Sequence, residues 1–198
     1  ASYYANGNPK EECNRINGKF EGKYTGFIKD KKGAVQKTCT YKNGEIEGLL
    51  TGFYPNGSIS LKTNYSNGLA EGHSYKYYPS ENMNSSNLML QEEGDFLNNK
   101  KNGTWTDYYP NGKIHTTGMY SNNLFNGAWL VYYLNGKLKQ KGDYSNGMAN
   151  GHWYFYDEEG LLFKEGDFIN DLENGEWIFY RTKGNTYKVN YVDGVEVR

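Results

Sequence analysis

Cysteine, proline and histidine are all scarce in this chain of 198 residues, with two, four and three copies respectively. Two cysteines cannot build the disulfide framework that staples small secreted domains. Neither sign of charge is in excess, since 22 basic residues stand against 23 acidic ones for a net charge of -1. That balance leaves no electrostatic footprint for nucleic acid or for an anionic membrane surface. No stretch approaches the ~18 consecutive apolar residues of a membrane span, and no succession of charged, apolar and small residues reads as a signal peptide. The sequence starts at Ala1 without a methionine, which reads as a processed or trimmed form. The expected location is accordingly the cell envelope or the exterior rather than the cytoplasm. Apolar residues are also sparse, at 36% with a mean hydropathy of -0.90, which is lean for a thick two-layer core.

What the chain has in quantity is tyrosine, with 20 copies, and glycine, with 25. They are not scattered. The segment "NGAWLVYYLNG" from Asn126 is echoed by "NGTWTDYYPNG" from Asn102, "NGHWYFYDEEG" from Asn150 and "NGEWIFYRTKG" from Asn174. Their first glycines are Gly103, Gly127, Gly151 and Gly175, a constant step of 24 residues, and the same phase runs back through Gly72, Gly48 and Gly22. A fixed period of this size marks a repeat array.

Numbered from that glycine, position +2 is Tyr24, Leu50, Ser74, Trp105, Trp129, Trp153 and Trp177, and position +5 is aromatic in all seven copies. An Asn-Gly step follows at Asn56-Gly57, Asn111-Gly112 and Asn135-Gly136, with Gly160 and Gly184 at the same place. Asn and Gly accept the positive φ of a tight hairpin turn. A second strand of period two comes next, as in Ile59, Leu61, Thr63 and Tyr65, and ends at another turn such as Asn67-Gly68 or Asn146-Gly147. Each unit is therefore a β-hairpin. A lone hairpin is marginal in water, so each copy needs its neighbours for burial. The expected fold is all-β: an elongated single-layer antiparallel β-meander of about seven 24-residue hairpins, forming one repeat domain over 1–198 with a partial unit at the N-terminus. A loop insertion is expected at about 79–90, where the fourth unit carries seven extra residues in "PSENMNSSNLML".

The copies also show a trade in size. Gly94, Gly118, Gly142 and Gly166 stand nine residues before the next repeat's glycine, beside strands that carry tryptophan. Where Cys39 or Thr63 takes that place, the flanking +2 residues are Tyr24 and Leu50. Bare backbone at a strand glycine can be covered by a large cross-strand ring, so tryptophan over glycine reads as the stacking contact of the array.

Chemistry is hard to find. His73 and His152 share a phase but stand three repeats apart, roughly 30 Å at two strands of about 4.8 Å per repeat, and His115 is alone. Asp95, Asp143 and Asp167 recur after the strand glycine, about 10 Å from copy to copy, which is too far for one acid/base couple. No catalytic residue, metal or cofactor is expected, and the chain does not read as an enzyme. Cys13 and Cys39 occupy one phase, and their pairing is left open. Equivalent strands of adjacent hairpins lie about 10 Å apart, whereas bridged Cα atoms lie within roughly 7 Å, unless the sheet curves strongly toward their face.

The succession G-x-W-x-x-Y-Y, Asn-Gly, an aliphatic residue, G-x-Y/F and Asn-Gly resembles the MORN (membrane occupation and recognition nexus) repeat family in its bacterial variant. The resemblance runs from about Tyr3 to Tyr191 and is strongest from Gly94 to Gly184. It departs at Ser74, where tryptophan is expected, at Arg15, where Tyr or Phe normally follows, and in the long fourth unit. The resemblance implies a single-layer β-meander used as a scaffold for protein binding, with phospholipid as a further partner class. A second resemblance, of "GHWYFYDEEG" to the choline-holding repeats of bacterial surface proteins, implies a cell-wall or glycan-binding module, although repeats of that kind are shorter. For either use the expected contacts are aromatic: Tyr54, Tyr78, Tyr109 and Tyr133, with Trp105, Trp129, Trp153 and Trp177 on the same strand face.

Overall fold

The computed structural model describes residues 1–80, 88–181 and 184–197. Residues 81–87, the middle of the insertion expected at about 79–90, lie outside the described residues. Among those described there is no α-helix. The chain forms two compact units, residues 1–100 and 101–198.

The first unit holds β1 (Ser2–Tyr3), β2 (Pro9–Ile16), β3 (Lys19–Phe27), β4 (Val35–Lys42), β5 (Glu45–Phe53), β6 (Ile59–Ser66), β7 (Leu69–Tyr77) and β8 (Leu90–Leu97). Each strand pairs antiparallel with the next, from β1–β2 through β7–β8. β9 (Lys100–Tyr108) opens at the boundary. The second unit continues with β10 (Ile114–Ser121), β11 (Leu124–Tyr132), β12 (Leu138–Ser145), β13 (Met148–Tyr156), β14 (Leu162–Ile169), β15 (Leu172–Tyr180), β16 (Thr186–Val192) and β17 (Val195–Val197). Here too every consecutive pair, β9–β10 through β16–β17, is antiparallel. Both units are thus β-meanders of hairpins, as the repeat requires.

Two turn types alternate. At one end of the hairpins the central pairs Asn17-Gly18, Asn43-Gly44, Asn67-Gly68 and Asn146-Gly147 all have positive φ, and so do Asn98-Asn99, Asn122-Asn123 and Asn170-Asp171. Two consecutive left-handed residues make the type I′ turn, whose twist matches that of the strands it joins. At the other end the Tyr54 amide donates to the Ser58 carbonyl (2.8 Å) and the Gly57 amide to the Tyr54 carbonyl (2.8 Å), with Gly57 at φ 89°. This is a three-residue loop built on a type I turn and closed by a left-handed glycine.

The glycine that starts each repeat has a separate task. Gly151 lies at φ 74°, and beside it the β12–β13 register slips between Lys141 and Asp143. The same slip recurs in β4–β5, β6–β7 and β14–β15. A bulge that needs a left-handed residue in each repeat explains why this glycine never varies between copies.

Burial follows from the size trade. A Cβ built on Gly118, Gly142 or Gly166 would stand 1.9, 2.1 or 2.2 Å from the ring of Trp129, Trp153 or Trp177. Each ring therefore lies flat on bare backbone of the preceding strand. Gly142 is the register partner of Trp129, yet the ring that covers it belongs to Trp153. Trp105, Trp129, Trp153 and Trp177 are only 4, 9, 2 and 0% exposed. Between successive tryptophans stands an edge-on ring from the intervening strand: Tyr120, Tyr144 and Phe168, with Tyr191 after Trp177, at centroid distances of 5.1 to 6.3 Å and interplanar angles of 70 to 87°. Edge-to-face pairs of this kind contribute about 0.5–1.5 kcal/mol beyond their buried area.

The first unit solves the same problem with smaller groups. Thr63 and Ser74 are both buried and share a hydroxyl hydrogen bond of 2.7 Å in the place of glycine and tryptophan. Cys39 and Leu50 are buried as well. Cys13 and Cys39 are free thiols, so the bridge left open by the sequence is not formed. Both are register partners of Tyr24, one on each side of β3, which puts them two strand spacings, about 10 Å, apart.

Candidate interaction face

The tyrosine pair at the end of each first strand is placed by the three-residue turn. Tyr54, Tyr109 and Tyr133 each open such a turn, and their rings are half-buried. Each hydroxyl reaches one repeat onward: Tyr54 donates to the Tyr77 carbonyl (2.7 Å), Tyr109 to the Tyr132 carbonyl (2.8 Å) and Tyr133 to the Tyr156 carbonyl (2.7 Å). Turn amides repeat the gesture, since the side chain of Asn56 donates to the Ser80 carbonyl (2.7 Å) and that of Asn135 to the Glu158 carbonyl (2.8 Å). Lysines add a third rung, with Lys113 on the Asn135 carbonyl (2.8 Å) and Lys137 on the Glu159 carbonyl (2.6 Å). Orphan carbonyls at the hairpin ends are thereby satisfied by the neighbouring copy. Tyr78 stands at the equivalent position, its amide donating to the Met89 carbonyl (2.9 Å).

A further tyrosine of this kind escaped the sequence reading. Tyr4 donates its hydroxyl to the Phe27 carbonyl (3.1 Å), and Asn6 reaches the Lys29 carbonyl (3.1 Å). The signal was present as "YANG", residues 4–7, a variant of the "YPNG" that starts at Tyr54.

The four tryptophans sit where the sequence put them, in one rank, but their burial makes them the floor of the sheet. Two also carry a cation of this chain on their faces: the Lys101 ammonium lies 3.9 Å from the Trp105 centroid and that of Lys164 lies 4.3 Å from Trp177. Tyr54, Tyr109 and Tyr133 keep part of each ring accessible, whereas the tryptophan rings are covered. Burial pushes the Tyr133 phenol above its ordinary range, and the carboxylates of Glu158, Asp157 and Glu159 push it further the same way. The ring is thus held as a neutral donor.

Each unit carries a histidine set between two carboxylates. His73 lies between Asp95 (2.9 Å) and Glu93 (3.5 Å), and His152 between Asp167 (2.8 Å) and Glu165 (3.3 Å), each with a tyrosine ring, Tyr75 or Tyr154, edge-on beside it. The recurring aspartates were legible in the sequence; the glutamates two residues before them were not singled out. The two carboxylates grip opposite nitrogens of one ring, so they do not converge on a common point. Among the described residues no group of three His, Cys, Asp or Glu is placed to hold a metal ion. His115 lies against Tyr109, at 4.5 Å between centroids.

With this geometry in view, comparison with known proteins gives one family. The profile of the MORN repeat variant matches residues 2–17, 46–67, 101–122 and 125–146. The chain carries variant MORN repeats. Each matched MORN segment spans parts of two strands and the turn between them, and the hairpins around the matches share the same bulge, turn and staple. No curated protein matches the chain. Among solved structures 35 chains are similar. One is described as "Crystal structure of GtfA/B complex bound to UDP and GlcNAc", at 8% identity over 66% of this chain and 22% of that chain, with a TM-score of 0.20. The chain therefore spans about a fifth of that chain's length, and so loose a likeness bears on neither fold nor activity. No helix among the described residues is long and apolar enough to cross a membrane.

Proposed function

We propose that this MORN-repeat chain is a non-catalytic scaffold that binds a protein partner along its row of turn tyrosines, with Tyr109 and Tyr133 at the centre of the contact. The observation that carries the reading is the pinning of both hydroxyls to the next repeat, at 2.8 and 2.7 Å. A ring fixed before binding loses little rotamer freedom on binding, so more of its contact energy survives as affinity. Repetition adds to this, because a partner that touches one tyrosine meets its equivalent about 10 Å further on.

The test is a partner trapped by photo-crosslinking from position 133, then titrated by calorimetry against variants. Tyr109→Ala with Tyr133→Ala removes ring and staple, whereas Tyr109→Phe with Tyr133→Phe removes the staple alone. Affinity at least about tenfold weaker for the alanine pair, or roughly 1.4 kcal/mol, with a smaller loss for the phenylalanine pair, is the expected result. Equal affinities for wild type and the alanine pair would refute the assignment.

A further inference from the structure

The step from Gly22 to Gly48 is 26 residues where the common step is 24. The structure shows where the two extra residues go. Phe27 pairs with Val35, eight residues on, whereas in the next hairpin Phe53 pairs with Ile59, six residues on. The enlarged turn is ordered by its own backbone: the Ile28 amide donates to the Ala34 carbonyl (2.8 Å) and the Ala34 amide to the Lys31 carbonyl (3.1 Å). Residues of this turn and of the neighbouring turn at Pro55–Gly57 line a cleft of about 460 Å³.

Phe53, Val35, Ala34 and Pro55 supply its apolar wall, and Lys31 and Lys32 its rim. Two other polar side chains line it, Thr38 and Asn56, and Asn56 is committed, donating to the Ser80 carbonyl and accepting from Ser58. Lys31 is tethered to the Pro55 carbonyl at 2.6 Å, which holds its charge at the entrance. Lys32 is exposed and has no partner among the described residues. With Lys29 and Asp30 the four residues 29–32 carry three positive charges and one negative, a net of +2 on a chain whose total is -1.

From this charge and shape we infer that the cleft takes one aromatic side chain of an acidic peptide segment, with the ring on Phe53 and Val35 and the flanking carboxylates on Lys31 and Lys32. The volume falls within the range of small-ligand pockets and exceeds the needs of one ring, leaving room for the backbone beside it. A carboxylate beside the ring meets ammonium groups that are already at the surface, so little desolvation opposes the pairing. The inference rests on the reading of the chain as a protein-binding scaffold, but it concerns residues 28–57, apart from Tyr109 and Tyr133.

The probe is the peptide acetyl-Asp-Glu-Phe-Asp-Glu-amide, titrated into the full chain and followed by backbone amide NMR. Saturable shifts at Val35, Thr38 and Gly57 below about 5 mM peptide are expected, with at least tenfold weakening when the peptide's Phe is replaced by Ala or its acids by their amides. Lys31→Glu with Lys32→Glu should produce the same loss, and so should Ala34→Phe, which fills the cleft from its own half-buried wall. Absence of saturable shifts at these residues, or equal binding of the uncharged peptide, overturns the inference. So does the same set of shifts appearing with phosphatidylglycerol vesicles and not with the peptide, which would assign the cleft to an anionic lipid. None of these outcomes touches the tyrosine-row titration, so the two readings fail separately.

Discussion

The ring of Trp177 lies so close over Gly166 that a methyl group on that glycine would stand 2.2 Å from Cδ2. Trp177 is fully buried, so the ring has no room to retreat. Gly166→Ala is therefore expected to cost about 3 kcal/mol or more, at the upper end for overpacking. Gly52→Ala is the control, because the nearest atoms there are Leu61 Cγ and Ser60 Oγ at 3.0 Å, side-chain atoms that need give by only a few tenths of an ångström; its cost should stay near 1 kcal/mol. All four tryptophans fall in the second unit. Denaturation followed by tryptophan fluorescence therefore reads Gly166→Ala, and far-UV circular dichroism reads Gly52→Ala. Equal costs would show that ring-on-backbone contact is not what glycine provides.

Thr63 and Ser74 form a second test of the same rule. Ser74→Trp alone places an indole against the Thr63 side chain, and the variant should lose about 1–3 kcal/mol. Thr63→Gly alone leaves the buried Ser74 hydroxyl without the partner now 2.7 Å away, with a loss of about 1–3 kcal/mol. The double variant Thr63→Gly, Ser74→Trp rebuilds the pair seen at Gly142 and Trp153, so the two losses should not add. A coupling of at least about 1 kcal/mol in a double-mutant cycle is expected, and strict additivity would contradict it.

The staples can be weighed singly. Tyr133→Phe keeps the ring and removes the hydroxyl bond to the Tyr156 carbonyl, so the second unit should lose about 0.5–1.5 kcal/mol. Calorimetric melting is the measurement. A variant as stable as wild type would mean that water satisfies that carbonyl equally well.

Tyr24 gives a prediction in alkali. Burial, followed by the neighbouring Glu11 carboxylate, pushes its phenol from 10.0 to about 12, and its hydroxyl donates to Glu11 at 3.2 Å. Between these values the folded chain keeps a proton that the unfolded chain has released, so stability falls as pH rises from about 10 to about 12. Below that window the contribution is fully present. Tyr24→Phe should flatten the fall, and Glu11→Gln should let the phenol ionise nearer its ordinary pH. Absorbance titration near 295 nm follows the tyrosinate directly, and a Tyr24 that ionises with the bulk tyrosines would refute the assignment.

Much of this molecule was legible in its letters because a repeat aligns itself. The phase of Gly103, Gly127, Gly151 and Gly175, the Asn-Gly turns and the alternation between them dictate an antiparallel hairpin array through local backbone preference alone. The exchange of glycine plus tryptophan for threonine plus serine could also be read, since it is a matter of volume. The sequence could not say which strand's glycine each indole covers. The bulge at the repeat glycine shifts the register, so Gly142 is aligned with Trp129 yet lies beneath Trp153.

Three-dimensional placement alone decided the rest. It turned the tryptophans from candidate contacts into floor, held the two thiols apart across β3, and bent the tyrosine hydroxyls onto the carbonyls of the next copy. Composition and spacing fix which residues are near one another along a strand. Which atoms meet between strands depends on register and twist, and those are settled only when neighbouring hairpins close together and must satisfy each other's buried polar groups.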